Sequence, residues 1–371
     1  MKISLGLSIT VAVLAIAKAL ALGWEVIFST AMLGDECYYI QASGLLMKKI
    51  IGVDALPYNI LLDVINGTPI LNVEIKQNEF GFLHLCIADY RNLEHPGFAK
   101  LVYGVVLTLA GGYLPILRLF LLIASIMSYC LLVYVLANKC GWRVIPGLAV
   151  LLIIDRLTMY FSYLAFLDTL MLVFLNCGIA LYLLKKKKLS LVLLSLATAC
   201  KAPGLVLALP IALSEIRGSG FRRGLIFMLA PALALGASYS INLLLASPQE
   251  VLQQMFSMLN IVEDTCRSPF CLFALKEEFG GIILYPPILW LWFVALALMT
   301  ITGEDTLFSE DRVPVSVAIV NILFTMIIWF KRSIFVYYYL PAVALIPFAI
   351  AIIIEKIEIL LKRFTSHFLE S

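Results

Sequence analysis

Apolar residues are gathered into long runs separated by short polar breaks. The first run, Ser4 to Leu33, is about 30 residues, or ~45 Å of helix, which exceeds the core of a signal peptide. It predicts a retained, tilted helix that continues into the membrane interface. Lys18 and Glu25 interrupt it seven residues apart, two turns along one face, and read as a pair buried against other helices. Further runs at about 113–138, 143–155, 166–184, 189–200, 202–216, 224–246, 281–300, 314–330 and 333–354 predict more helices. Several fall short of the ~20 residues that a span normally needs. The short ones cluster mid-chain, where packing in a bundle or lining a wet cavity tolerates them. The pattern predicts an all-α polytopic membrane protein with about ten transmembrane helices, residues 1–371 forming a single domain.

Basic residues give the direction. Lys139 with Arg143, Lys185 to Lys188, Arg217 with Arg222 and Arg223, and Lys356 with Lys362 and Arg363 all follow apolar runs. With the N-terminus inside, alternation puts these clusters on the cytoplasmic face and loops 34–112 and 247–280 outside. The first loop holds an amphipathic stretch from Ile40 to Ile51 and a short apolar helix from Phe98 to Leu109. That helix is expected to lie in the interface or re-enter it, because crossing would invert every later basic cluster. Asn66-Gly67-Thr68 in the same loop is an N-glycosylation sequon.

Composition narrows the class. The chain is 62% apolar and 14% charged, and its mean hydropathy is +1.00. Soluble domains sit near half apolar and a quarter charged, so a soluble enzyme, a disordered chain and a disulfide-knotted secreted domain are excluded. The charge balance, 27 − 24 = +3, gives no reason to expect a nucleic-acid partner. Of the eight cysteines, Cys130, Cys140, Cys177 and Cys200 lie in or beside apolar runs and read as small hydrophobes. Cys37, Cys86, Cys266 and Cys271 lie in the two polar loops. Cys266 and Cys271 bracket Arg-Ser-Pro-Phe, a spacing that suits a local disulfide on an oxidising side, with free thiols as the alternative. No Cys/His cluster argues for zinc.

The informative charges are cations on the outer side, where the positive-inside rule does not want them. Lys100, Arg118, Arg156, Lys201, Lys331 and Arg332 fall near outer span ends. One cation at such a place snorkels to headgroups. Six at one level, beside Asp35, Glu36, Asp155 and Asp168, point to an anionic group at the outer leaflet, such as a lipid phosphate.

The same residues carry a resemblance. Asp35-Glu36 after the first span resembles the Asp-Glu motif of the GT-C membrane glycosyltransferases. His95-Pro96-Gly97-Phe98-Ala99-Lys100 is similar to the HPPLxK motif of protein O-mannosyltransferases, with Gly97 in place of the second proline. Leu117-Arg118-Leu119-Phe120, Leu167-Asp168-Thr169-Leu170, Ala199-Cys200-Lys201-Ala202-Pro203-Gly204 and Tyr338-Tyr339-Leu340-Pro341 resemble further motifs of that family, in order, Tyr338 replacing its histidine. The chain is about half the length of eukaryotic members and lacks their soluble luminal repeat domain.

The resemblance implies a GT-C fold whose long first extracytoplasmic loop carries interfacial helices. It implies a glycosyltransferase that takes a sugar, mannose by the motifs, from a polyprenyl- or dolichyl-phosphate carrier. The acceptor is a hydroxyl on protein, lipid or glycan. Membrane lipids are the other partners, and the site is extracytoplasmic or luminal. The phosphate is already a good leaving group, so cations rather than a general acid serve it. The acceptor hydroxyl needs a base, and an in-line displacement inverts the anomeric centre. In this scheme Asp35 is the base and Glu36 orients it or the acceptor. Arg118, Lys201, Arg332 and Lys331 meet the phosphate, with His95 and Lys100 at the rim. Asp168 supports by pairing Lys201 or Arg118. Tyr338, with Tyr337 and Tyr339, reads first as an interfacial aromatic belt. No cofactor is obligatory. A divalent metal at Asp35–Glu36 stays open, since other branches of the superfamily use one. The competing classes are a secondary transporter or lipid flippase, which shows internal repeats not evident here, and a non-catalytic assembly subunit.

Overall fold

Helix fills most of the apolar runs. The computed structural model describes residues 2–29, 32, 35–53, 61–65, 68–72, 86–87, 90–154, 157–260, 285–303, 308–329 and 339–370. The first run is α1 (Lys2–Ile27); α2 (Glu36–Ile51) and α3 (Phe98–Leu109) follow it. The bundle continues through α4 (Leu114–Cys140), α5 (Ile145–Ile154), the single turn α6 (Leu157–Phe161), α7 (Leu167–Leu183), α8 (Lys187–Cys200), α9 (Pro203–Ser219) and α10 (Phe221–Ile241). After it come α11 (Pro248–Asn260), α12 (Tyr285–Ile301), α13 (Val313–Trp329), the short α14 (Leu340–Ala344) and α15 (Ile346–Glu370). Gly141, with φ +64°, ends α4 in a conformation that suits glycine, and one 3-10 turn leads into α5.

The all-α expectation has one exception. Strands β1 (Leu61–Ile65), β2 (Thr68–Asn72) and β3 (Cys86–Ile87) form a small antiparallel sheet in the order β1-β2-β3. Its register pairs Ile65 with Thr68 and Ile70 with Ile87.

About ten spans were expected. Among the described residues three helical stretches are long and apolar enough to cross a membrane: Ser4–Ile27, Leu114–Ile153 and Phe221–Leu244. Phe98–Leu109, Leu167–Leu183 and Trp290–Ile301 are shorter apolar helices. Leu5, Ile9, Val13 and Trp24 on α1 are each more than half exposed, as are Met127 on α4 and Leu233 on α10. Apolar surface of that extent has lipid, not water, as its solvent.

Packing runs α1–α4–α7–α8–α10–α9, and α2 lies on α3. Ser4 Oγ donates to Asn138 Oδ1 at 2.7 Å and Ser8 Oγ to the Cys130 carbonyl at 3.2 Å, which clips α1 to α4. A cavity of about 90 Å³ lies among α1, α4, α5, α6 and α7, mostly apolar, with Lys18, Ser125 and Asn176 in its wall. Lys18 Nζ reaches the Leu151 carbonyl at 3.3 Å.

Ion pairs sort into two layers. One layer contains Arg118 near the start of α4 and Asp168 near the start of α7. The other contains Lys139 paired with Asp311, Arg143 with Glu358 at 2.6 Å and Lys185 with Glu310 at 2.5 Å. Along α4, Arg118 and Lys139 are separated by roughly 30 Å of helix, the thickness of a bilayer's hydrocarbon.

Candidate functional site

The first turn of α2 places Glu36 inside the protein, at 0% exposure. Its Oε1 accepts from Arg118 Nε at 3.1 Å and from the Ala165 backbone N–H at 3.0 Å. Its Oε2 accepts from Arg118 Nη2 at 2.5 Å. Arg118 Nη1 donates to the Ser29 carbonyl at 2.8 Å and to the Val26 carbonyl. Those carbonyls lie at and just past the end of α1, where a cation is favoured. Arg118 and Glu36 therefore form a buried clamp joining α1, α2, α4 and the turn before α7. Both side chains are fully buried.

Asp168, in the first turn of α7, pairs with Lys201 Nζ at 2.5 Å, both side chains being buried. Lys201 caps the end of α8 in an extended conformation, with φ −154° and ψ 136°. The pairing of Asp168 with Lys201, one of the two partners expected for it, is the contact seen.

Lys100, expected at a phosphate rim, is a post inside the turn that precedes it. It is 1% exposed. Its Nζ donates to the carbonyls of Asn92 at 2.6 Å and His95 at 2.9 Å and to Asn242 Oδ1 at 3.1 Å. An ammonium has three donors, and these three oxygens use them all. Asn242 Nδ2 returns two bonds, to the carbonyls of Leu93 at 3.0 Å and His95 at 2.8 Å. Asn92 sits at φ +50°, a left-handed conformation that Asn tolerates. Its carbonyl is the closest of the three to Lys100. His95 is half-buried, its ring 5.9 Å from that of Tyr39, edge to face.

Gly97 explains why the second proline of the resembled motif is absent. Its N–H donates to the Ser238 carbonyl at 3.0 Å, and a Cβ there would sit 2.6 Å from Ile241 Cβ. Proline has no such donor. Ser238 Oγ meanwhile accepts from the Phe98 N–H at 2.8 Å and donates to the Ala199 carbonyl at 2.6 Å. The turn at 92–97 is thus tied to α10 and, through it, to α8 beside Lys201.

Direct contacts link the predicted residues at one end of the bundle. Arg118 holds Glu36, and Glu36 holds Ala165. Tyr39 packs its ring against both Phe166 and His95. Tyr103 Oη donates to the Phe166 carbonyl at 2.5 Å, two residues before Asp168 and its partner Lys201. Asp35 stands at the N-cap of α2 and is half-buried. It lies outside both buried pairs, beside Tyr38 and Tyr90. Burial raises the Tyr38 hydroxyl pKa, and the Asp35 charge adds to this. The Tyr90 hydroxyl is raised by burial first and then by Glu94. Both phenols therefore keep their protons, and Tyr90 stays a donor at neutral pH.

Glu94, Asn92, Tyr90, Asn242 and Ser238 belong to this end and were not singled out in the sequence. Glu94 alone carried a signal, as a carboxylate next to His95. Lys331, Arg332, Tyr338, Cys266 and Cys271 lie outside the described residues. Cys37, buried beside Glu36, is disulfide-bonded, while Cys130, Cys140, Cys177 and Cys200 are free thiols. Among the described residues no group of three or more His, Cys, Asp or Glu side chains is placed to hold a metal. Glu36 fits a metal poorly in any case, since both of its oxygens already accept N–H donors.

No protein family, no curated protein and no solved structure matches this chain.

Proposed function

We propose that the chain is an integral-membrane glycosyltransferase with a GT-C-type bundle of about ten spans. It moves a sugar from a polyprenyl-phosphate carrier to an acceptor hydroxyl at the extracytoplasmic face. The observation that carries the reading is the convergence at one end of the bundle: Asp35, two buried ion pairs and the Lys100 post share one contact network. The disulfide at Cys37, next to Asp35, supports an oxidising side.

The ion pairs divide the labour. Glu36–Arg118 and Asp168–Lys201 are each neutral as a pair and hold the helix ends that frame the site. Asp35, half-buried at the N-cap of α2, is the carboxylate that the resemblance assigns as base. Its carboxylate takes the proton of the acceptor hydroxyl as that oxygen bonds to the anomeric carbon. The bond from that carbon to the phosphate oxygen breaks, and its electron pair leaves with the phosphate. Charge builds on the phosphate, so cations not already neutralised are needed there. In this reading Arg332 and Lys331 meet the phosphate, as the resemblance implies, while Arg118 and Lys201 hold the helix ends around it.

Purified protein given radiolabelled polyprenyl-phosphate mannose or glucose is expected to transfer the sugar. Asp35→Asn is expected to lose transfer by 10²-fold or more while still binding the donor. Full activity in that variant would remove Asp35 as the base.

A further inference from the structure

The turn before α3 carries two hydrogen-bond acceptors that the fold leaves unfilled. Asn92 is 3% exposed, and its Oδ1 is shut off from water without a donor. Glu94 Oε2 is shut off in the same way. Glu94 Oε1, by contrast, accepts from Tyr90 Oη at 2.6 Å and from Asn92 Nδ2 at 2.9 Å. The amide orientation follows from its neighbour: the end facing a carboxylate must be the NH₂, so Oδ1 is the end left over. Buried polar atoms are normally satisfied, and each exception calls for an explanation. Here both exceptions are acceptors, on side chains that touch each other, so the missing partner is a donor.

We infer that Asn92 Oδ1 and Glu94 Oε2, beside the rings of Tyr38 and Tyr90, bind hydroxyl groups of a saccharide, so that the acceptor is a sugar-headed molecule. This rests on the glycosyl-transfer reading above and names its acceptor. A cationic ligand is disfavoured. The Lys100 ammonium already interacts with the Glu94 charge and holds the Asn92 carbonyl at 2.6 Å. Neutral donors that come in adjacent pairs are the hydroxyls of a sugar ring. Tyr38 and Tyr90 are half-buried, with ring centroids 5.0 Å apart at 61°. Aromatic faces beside a few fixed polar atoms suit a ring with an apolar C–H side and a hydroxylated edge. The last torsion of a glutamate is broad, so turning the carboxylate toward a bound sugar trades its bonds from Tyr90 and Asn92 for bonds from the sugar's hydroxyls. Asp35 interacts with the same two tyrosines, which brings the base beside this subsite.

The test uses the full chain in lipid nanodiscs with polyprenyl-phosphate mannose as donor. Tritiated octyl α-mannoside and a Ser/Thr-rich peptide serve as acceptors. Transfer to the mannoside is expected, with Glu94→Gln raising its KM at least tenfold and Tyr90→Phe raising it severalfold. Should the Glu94 variant not purify, Tyr90→Phe carries the comparison. Transfer to the peptide with the mannoside inert, or a mannoside KM unmoved by either variant, overturns the inference. If neither acceptor gains a sugar from the mannose carrier or from the glucose carrier run beside it, the glycosyl-transfer reading fails, and equilibrium binding of the mannoside decides the subsite separately. Binding weakened tenfold by Glu94→Gln upholds the saccharide site; equal or absent binding removes it.

Discussion

Replacing Arg118 by Met tests whether that residue clamps the fold or serves a substrate. The guanidinium donates to both oxygens of Glu36 and to two carbonyls at the end of α1, with both charged side chains at 0% exposure. Removing it strands a carboxylate in the interior, a loss of ~3–5 kcal/mol, or roughly two to three and a half decades in the unfolding constant. Reversible unfolding in mixed detergent micelles reads this directly. Glu36→Leu alone strands the arginine and is expected to cost a similar amount. The double variant, with neither charge left, is expected to lose at least ~2 kcal/mol less than the sum of the single losses, since buried pairs are replaceable by apolar groups at little cost. The opposite pattern would refute the reasoning: Arg118→Met unfolding within ~0.5 kcal/mol of the parent while polyprenyl-phosphate binding falls. Arg118 would then be a phosphate ligand, as its sequence motif first suggested.

Three further outcomes follow from the packing. Gly97→Pro loses the N–H donated to Ser238 and pushes ring atoms toward Ile241, so the resembled motif's own proline is expected to lower yield of folded protein, read by gel filtration in detergent. Gly224 lies where a Cβ would run into Ile216 Cγ1 and meet the Ala212 carbonyl at 2.7 Å; Gly224→Ala is expected to destabilise the α9–α10 pair by ~1–3 kcal/mol, measured by the same unfolding assay. Ser247 and Glu250 form a reciprocal cap on α11, with the Ser247 N–H donating to Glu250 Oε2 at 2.8 Å and the Glu250 N–H to Ser247 Oγ at 3.3 Å. The Ser247 N–H and the Ser247 hydroxyl, both donating to Oε2, hold the Glu250 carboxyl below its usual pKa, so the cap is fully present above the ordinary glutamate range and is lost as pH falls through the lowered value. Amide exchange at 249–252, corrected for its intrinsic pH dependence, is expected to speed up there and to do so at neutral pH in Ser247→Ala.

Much of the helical frame could be read from the chain. The apolar runs at 98–109, 113–138 and 166–184 became α3, α4 and α7 within a few residues, because in lipid every backbone group must be satisfied internally. The sheet at 61–87 was not expected, although Asn66-Gly67 between Ile65 and Thr68 is the commonest pair for a two-residue hairpin turn. That tripeptide was read for its glycosylation chemistry instead. The site was legible as a set of residue types and illegible as a set of partners. Asp35 and Glu36 are neighbours in the chain with different surroundings: one is half-buried at a helix cap and the other is sealed against Arg118, 82 residues away. Lys100 read as a surface cation, because the oxygens that consume its donors come partly from Asn242, 142 positions on.

Sequence alone determined that the chain carries helices long and apolar enough to cross a membrane, where most of its helices run, and that many of its ionic groups fall near helix ends, since apolarity and period are local properties. Tertiary structure decided which of those ions neutralise one another, Glu36 with Arg118 and Asp168 with Lys201. A charge in a low-dielectric interior is governed by the few atoms within about 4 Å of it, and no local pattern records which distant residues the fold will bring there.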